Sequence, residues 1–214
     1  MNQRDIVHAL LDRAGTTYAA EAGIRLDDKP APLFQLLMLT ELLSARISAD
    51  IAIAATTELV GSGYRTARRV ADADWQELVD ALGRGHYRRY DESTATQLGE
   101  IAGKALEKYD GDLRKLAEEA DHDVERAGEL IQQFKGIGPT GSEVFLREVQ
   151  DVWTWVRPHF DDRAVHGAER VALPGDPGKL AGLAPGDHAA EFAAALVRVG
   201  IDDELAQEVR SASG

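Results

Sequence analysis

The chain of 214 residues has no cysteine, two methionines and six lysines. Without cysteine there is no disulfide, no thiolate zinc site and no iron–sulfur cluster. No apolar run approaches the ~18 residues of a membrane span, and the opening Met1-Asn2-Gln3-Arg4-Asp5 is polar, so a cytoplasmic location is expected. No stretch alternates apolar and polar residues over more than a few positions, so strands are not expected. Repeats of fixed period and low-complexity segments are also missing. Positive charge is scarce: 24 Lys and Arg face 37 Asp and Glu, a net charge of −13. That balance argues against the basic domain usual in nucleic-acid binding. A local basic patch stays possible, because charges on a far face are screened beyond a Debye length of ~8 Å. Arginine outnumbers lysine eighteen to six, and its planar fork suits phosphate.

With 44% hydrophobic and 29% charged residues, the composition is that of a soluble globular protein. The spacing of its apolar residues predicts an all-α fold. A helix over 33–43 is apolar on nearly every side, interrupted by Gln35, Thr40 and Glu41, and reads as a central core helix. A long helix follows over 91–109, with Leu98, Ile101, Ala102, Ala105 and Leu106 on one face. Two further helices flank residues 134–142. Ala127, Leu130, Ile131 and Phe134 form the stripe of the first; Phe145, Val149, Val152 and Val156 continue that spacing in the second.

Between them lies Phe134-Lys135-Gly136-Ile137-Gly138-Pro139-Thr140-Gly141-Ser142. Gly136 and Gly138 permit backbone angles closed to other residues, and they allow a partner to approach the main chain. Pro139 suits a first helical turn, and the amides after it point outward at a positive helix end that can receive a phosphate oxygen. A plain structural turn would use the same residues. A second cluster, Arg84, His86, Tyr87, Arg88, Arg89 and Tyr90, carries no acid, a local reversal of the overall charge. From its residues alone it reads as a solvated loop whose tyrosines pack on the core.

The order Phe-x-Gly-Ile-Gly-Pro before an apolar helix resembles the helix-hairpin-helix of DNA-repair proteins. Leu42-Leu43-Ser44-Ala45-Arg46-Ile47-Ser48 is similar to a Leu-Leu-Ser-x-Gln-x-Thr stretch of the endonuclease III-like DNA glycosylases, with Arg46 where that family often has a DNA-contacting glutamine. Phe160-Asp161-Asp162-Arg163, followed by Arg170 and Leu173, resembles the segment carrying the family's catalytic aspartate.

That resemblance implies two helical domains with a cleft between them. Residues 30–145 would form a helical barrel containing the hairpin, and residues 1–29 plus 146–214 the second domain. The implied activity is base excision repair by a DNA glycosylase, acting as a monomer on double-stranded DNA. Asp161 would be the catalytic carboxylate, unless it merely caps the helix that follows it. Lys135, Gly136, Ile137, Gly138, Thr140 and Gly141 would grip the DNA, joined by Arg46 and the loop residues Arg84, His86, Tyr87, Arg88 and Arg89. Thr140 stands where backbone-cleaving members place a lysine, and none occurs between Pro139 and Lys179, so hydrolysis without a lyase step is expected. No metal or other cofactor is required, although the hairpin carbonyls could hold a monovalent or divalent cation. The alternative is a DNA-binding protein that kept the hairpin and lost the chemistry. A third reading, a helical module that binds a protein partner, would use the acidic surface.

Overall fold

The computed structural model describes residues 2–212 and is all-α, with no strand among those residues. The helices are α1 (Gln3–Ala14), α2 (Tyr18–Glu21), α3 (Pro30–Ser44), α4 (Ala49–Gly61), α5 (Ala67–Ala71), α6 (Trp75–Arg84) and α7 (Asp91–Tyr109). They continue as α8 (Arg114–Glu119), α9 (Val124–Ile131), α10 (Pro139–Val149), α11 (Asp162–Arg170), α12 (Pro177–Ala181), α13 (Ala189–Ile201) and α14 (Asp203–Ala212). Two compact units result, one of Tyr18–Phe145 and one of Met1–Thr17 with Leu146–Gly214.

In the Tyr18–Phe145 unit, α3 is the core. Pro30 opens it, where a missing N–H costs nothing, and every residue from Leu33 to Leu42 is buried. Each fully buried leucine there contributes about 1.5–3 kcal/mol of apolar transfer. Helices α4 and α7 pack on α3, and α5 and α6 pack on α7. The long helix α7 stops where Asp110 turns left-handed (φ 53°) and Gly111 follows at φ 77°. Residues 18–29, expected in the other domain, belong to this unit. Tyr18, Ala19, Ala22 and Ile24 are buried, and α2 packs on α4.

In the other unit α11 and α13 form the central pair, and α1 and α14 pack against α13. The crossing is close: a Cβ placed on Gly167 of α11 would lie 1.8 Å from the Leu196 carbonyl oxygen. Phe160 and Phe192 meet edge to face at 5.6 Å. Helix α10 ends at Val149, short of the expected run to Val156. Gln150 accounts for the early stop. Its Nε2 donates to the Arg147 and His159 carbonyls (3.0 and 3.1 Å), and its Oε1 accepts from the His159 amide at 2.8 Å. Asp151 then turns away to accept from the Ala189 and Ala190 amides at the start of α13. Trp153 and Trp155 therefore lie in turns, where their rings stack 5.3 Å apart instead of occupying separate helix faces.

Candidate functional site

The turn between α9 and α10 is built as a tight hairpin. Its Gly136 has φ 82°, a left-handed value, and the Ile137 amide donates to the Phe134 carbonyl at 3.2 Å. Phe134 and Ile137 are buried and anchor the turn, while Lys135 and Gly136 are exposed. On the far side of Phe134, Lys104 Nζ donates to the Gln133 carbonyl at 2.6 Å. The Pro139 start of α10 falls where the sequence places it, with Thr140 exposed and the Ser142 amide bonded to the Gly138 carbonyl at 3.0 Å.

Three hairpin expectations change. Gly138 is not left-handed, and a Cβ there would meet nothing within 4 Å, so neither backbone angle nor packing calls for glycine at that position. The Ile137 amide already has an acceptor and its side chain is core, which leaves it little to offer a phosphate. Gly141 is buried against the end of α3, where a Cβ would come 2.4 Å from Ser44 Oγ. Glycine there seats the hairpin on α3.

The hairpin lies beside a pocket of about 290 Å³. Its lining comes from the end of α3 (Glu41, Ser44), Ala45 and Arg46 just beyond, Tyr90, the first turns of α7 (Ser93, Thr94, Gln97), and Gly136. Glu41 is 3% exposed, and its Oε2 is buried without a hydrogen-bond partner. Burial alone pushes its carboxyl up to about 8, so at neutral pH it is a neutral acid with a proton to donate. Its Oε1 lies 3.1 Å from where a Gly136 Cβ would stand. Glycine at 136 is thus needed twice, for its backbone angle and for the carboxyl beneath it. In the sequence Glu41 reads as a polar interruption of an apolar helix. A charge in the middle of an all-round apolar run was the available signal.

The Arg84–Tyr90 loop is less basic in effect than in composition. Arg84 donates from Nε to Glu58 at 3.0 Å and from Nη2 to Ser62 at 2.7 Å, so part of its fork is already engaged within the protein. Tyr87 is 1% exposed, and its hydroxyl accepts from Thr94 Oγ1 at 3.1 Å; burial pushes the phenol up to about 12. It is a core residue and not a wedge for a duplex. Gly85 brings the loop onto α4, where a Cβ would fall 2.3 Å from the Ala55 Cα. His86 (φ 64°), Arg88 and Arg89 remain exposed, with Arg89 5.3 Å from the centroid of the Tyr90 ring. Arg46 is exposed at the pocket rim.

In the other unit, Asp161 is the N-cap of α11. Its Oδ1 accepts from the Ala164 amide at 3.0 Å, and its Oδ2 accepts from Arg147 Nη1 at 2.7 Å. The side chains of Asp161 and Arg147 are 6% and 1% exposed. Each carboxylate oxygen keeps a further acceptor position, since an ionised carboxylate offers about four. Arg147 has no counterpart in the sequence reading; it is one charge among eighteen arginines until the fold buries it. Among the described residues no group of three or more His, Asp or Glu is placed to hold a metal ion.

The described residues thus form an all-helical protein with a glycine-turned hairpin beside a pocket that holds one buried carboxyl. No protein-family model matches the chain. No curated protein matches it either. Among solved structures it is similar to a trapped endonuclease III–DNA covalent intermediate described as an estranged-adenine complex. The identity is 15%, over 92% of this chain and 85% of that one, with a TM-score of 0.48. At those values the likeness carries no functional weight.

Proposed function

We propose that the protein binds double-stranded DNA through the hairpin and removes a damaged or mispaired base by hydrolysing its N-glycosidic bond. The observation that carries the reading is Gly136. It belongs at once to the exposed main chain of the hairpin and to the wall of a pocket whose buried carboxyl is protonated at neutral pH. A main-chain grip on a phosphate and a proton donor for a departing base then lie side by side in one unit.

In the proposed reaction the C1′–N bond breaks, and its electron pair leaves with the base. Glu41 gives its proton to the base, and a water adds to C1′, returning one proton to the carboxylate. Proton donation of this kind contributes about 10²–10⁴-fold. The motif resemblance by itself, whatever the placement of Glu41, assigns Asp161 the part of a carboxylate that stabilises a cationic sugar or orients its water. With Thr140 in place of an amine there is no Schiff base, so borohydride should trap no protein–DNA adduct; a trapped adduct would overturn that part.

A panel of duplexes with damaged and mispaired bases, assayed in single turnover, tests the activity. Release from at least one is expected, and release from none ends the enzyme reading. Replacing Asp161 alone would strand a buried guanidinium, so the informative variant is Asp161→Asn combined with Arg147→Met. Loss of release with duplex binding retained is the expected result. The pairing of Asp161 with Arg147 favours a second reading, a non-catalytic DNA-binding protein in which the carboxylate is purely structural.

A further inference from the structure

Asp161 could cap α11 without help. A neutral asparagine caps a helix about as well as an aspartate, and neither needs a cation behind it. Yet this chain places a fully buried arginine there: Arg147 is 0% exposed and gives Nη1 to Asp161 Oδ2 at 2.7 Å. Burying a guanidinium is costly, and the cost is visible, because Arg147 Nε is buried with no hydrogen-bond partner. A cap does not explain such an arrangement. The need to hold an ionised carboxylate at a fixed orientation inside the protein does.

The surrounding bonds agree. Asp161 is fixed through both oxygens, one on the Ala164 amide and one on Arg147. The chain leading to it is tied to the same residue. Gln150 holds the Arg147 carbonyl and both main-chain groups of His159, two residues before Asp161. Side chain and main chain of Arg147 therefore set, respectively, the carboxylate and the strand of backbone that delivers it. Rotation about the Asp161 side-chain torsions would break either the cap or the ion pair.

We infer that Arg147 is the positioning residue for Asp161, locking the carboxylate plane so that its remaining acceptor positions face one direction. This inference rests on the base-removal reading above. It assigns Arg147 no contact with substrate.

The test is steady-state base-release kinetics and duplex binding on the full chain for Arg147→Lys, Arg147→Met and Asp161→Asn/Arg147→Met, with folding followed by circular dichroism. Misplacing a reacting group by about 1 Å costs about 100-fold in rate. Arg147→Met is therefore expected to lose about 100-fold in kcat per folded molecule, with KM within about threefold. Arg147→Lys, which keeps the charge and loses the fork, should recover part of that loss. The double variant should be no faster than Arg147→Met, because two residues acting as a unit are not additive. A structural ion pair predicts something else: a lower unfolding midpoint with kcat per folded molecule unchanged. Should Arg147→Met unfold, Arg147→Lys decides alone, and an unchanged kcat in that variant overturns the inference. If the unmutated protein releases no base, the base-removal reading falls and the positioning role falls with it. If it releases base and kcat is indifferent to residue 147, the positioning role alone is wrong.

Discussion

Each of the two units buries a carboxyl group, and the two are treated in opposite ways. Asp161 is held by an arginine and a backbone amide, so its charge is compensated inside the protein. Glu41 has one oxygen with no partner, and nothing offsets its desolvation, so it keeps its proton. The first arrangement suits a fixed anion, the second a neutral proton donor. Burial alone does not tell a chemist which role a carboxyl plays; the neighbours do.

The contrast can be broken most directly at Arg147. Arg147→Ala leaves Asp161 as an uncompensated buried charge and should cost about 3–5 kcal/mol in urea unfolding. Removing both partners, as Arg147→Met with Asp161→Asn, should cost much less. A single-variant loss under about 1 kcal/mol would make the pair ornamental and the contrast with Glu41 false.

Glu41 supplies the matching pH experiment. Its carboxyl titrates near its ordinary value of 4.5 when unfolded and at about 8 when folded. Between those values the folded state binds the extra proton, so stability falls as pH rises. The contribution is fully present below about pH 4.5 and gone above about 8, a loss of up to about 4–5 kcal/mol. Glu41→Gln should abolish that slope when urea midpoints are compared at pH 5, 7 and 9. Equal slopes in the two proteins would mean that the carboxyl has a partner in solution.

Gly136→Ala should cost about 1–2 kcal/mol from the left-handed angle, before any crowding of Glu41. Weaker duplex binding is expected alongside the lower unfolding midpoint. The smallest effect on stability is at the loop: Arg88→Ala with Arg89→Ala should stay within about 0.5 kcal/mol. Duplex affinity would show the change instead, its log–log salt slope flattening by about 0.9 for each lost phosphate contact. An unaltered slope would remove the loop from the DNA-binding surface.

The helices themselves were legible in the sequence because apolar spacing reports which face is buried. Asp91–Tyr109 was expected with those bounds, and Pro139 marked the start of α10. The end of α10 was not legible, since Val152 and Val156 keep helical spacing while the Gln150 side chain donates to the Arg147 carbonyl, the acceptor that the Asp151 amide would use in a longer helix. Tyr87 packs on the core, the plainer of the two readings of its loop. A run of arginines suggests a solvated loop, and nothing local says that the tyrosine within it hydrogen-bonds to Thr94 in the core. Glu41 shows in the sequence only as a polar break in an apolar helix and Arg147 not at all, because partnering, or its lack, is created by tertiary packing. Asp161 stands out in the sequence by its place in a motif, and the helix cap, the plainer use of the same residue, is the one the structure shows.

The joining of the first helix to the last ones has a consequence for biosynthesis. Helix α1 packs on α13 and α14, and Arg198 reaches back across 182 positions to the Thr16 carbonyl. Residues 18–145 leave the ribosome as one uninterrupted stretch and can assemble while translation proceeds. Helix α1, made before that stretch, has to remain unpaired until α13 and α14 have been added. During that interval Ile6, Val7 and Leu10, which the folded unit buries, have no core to enter.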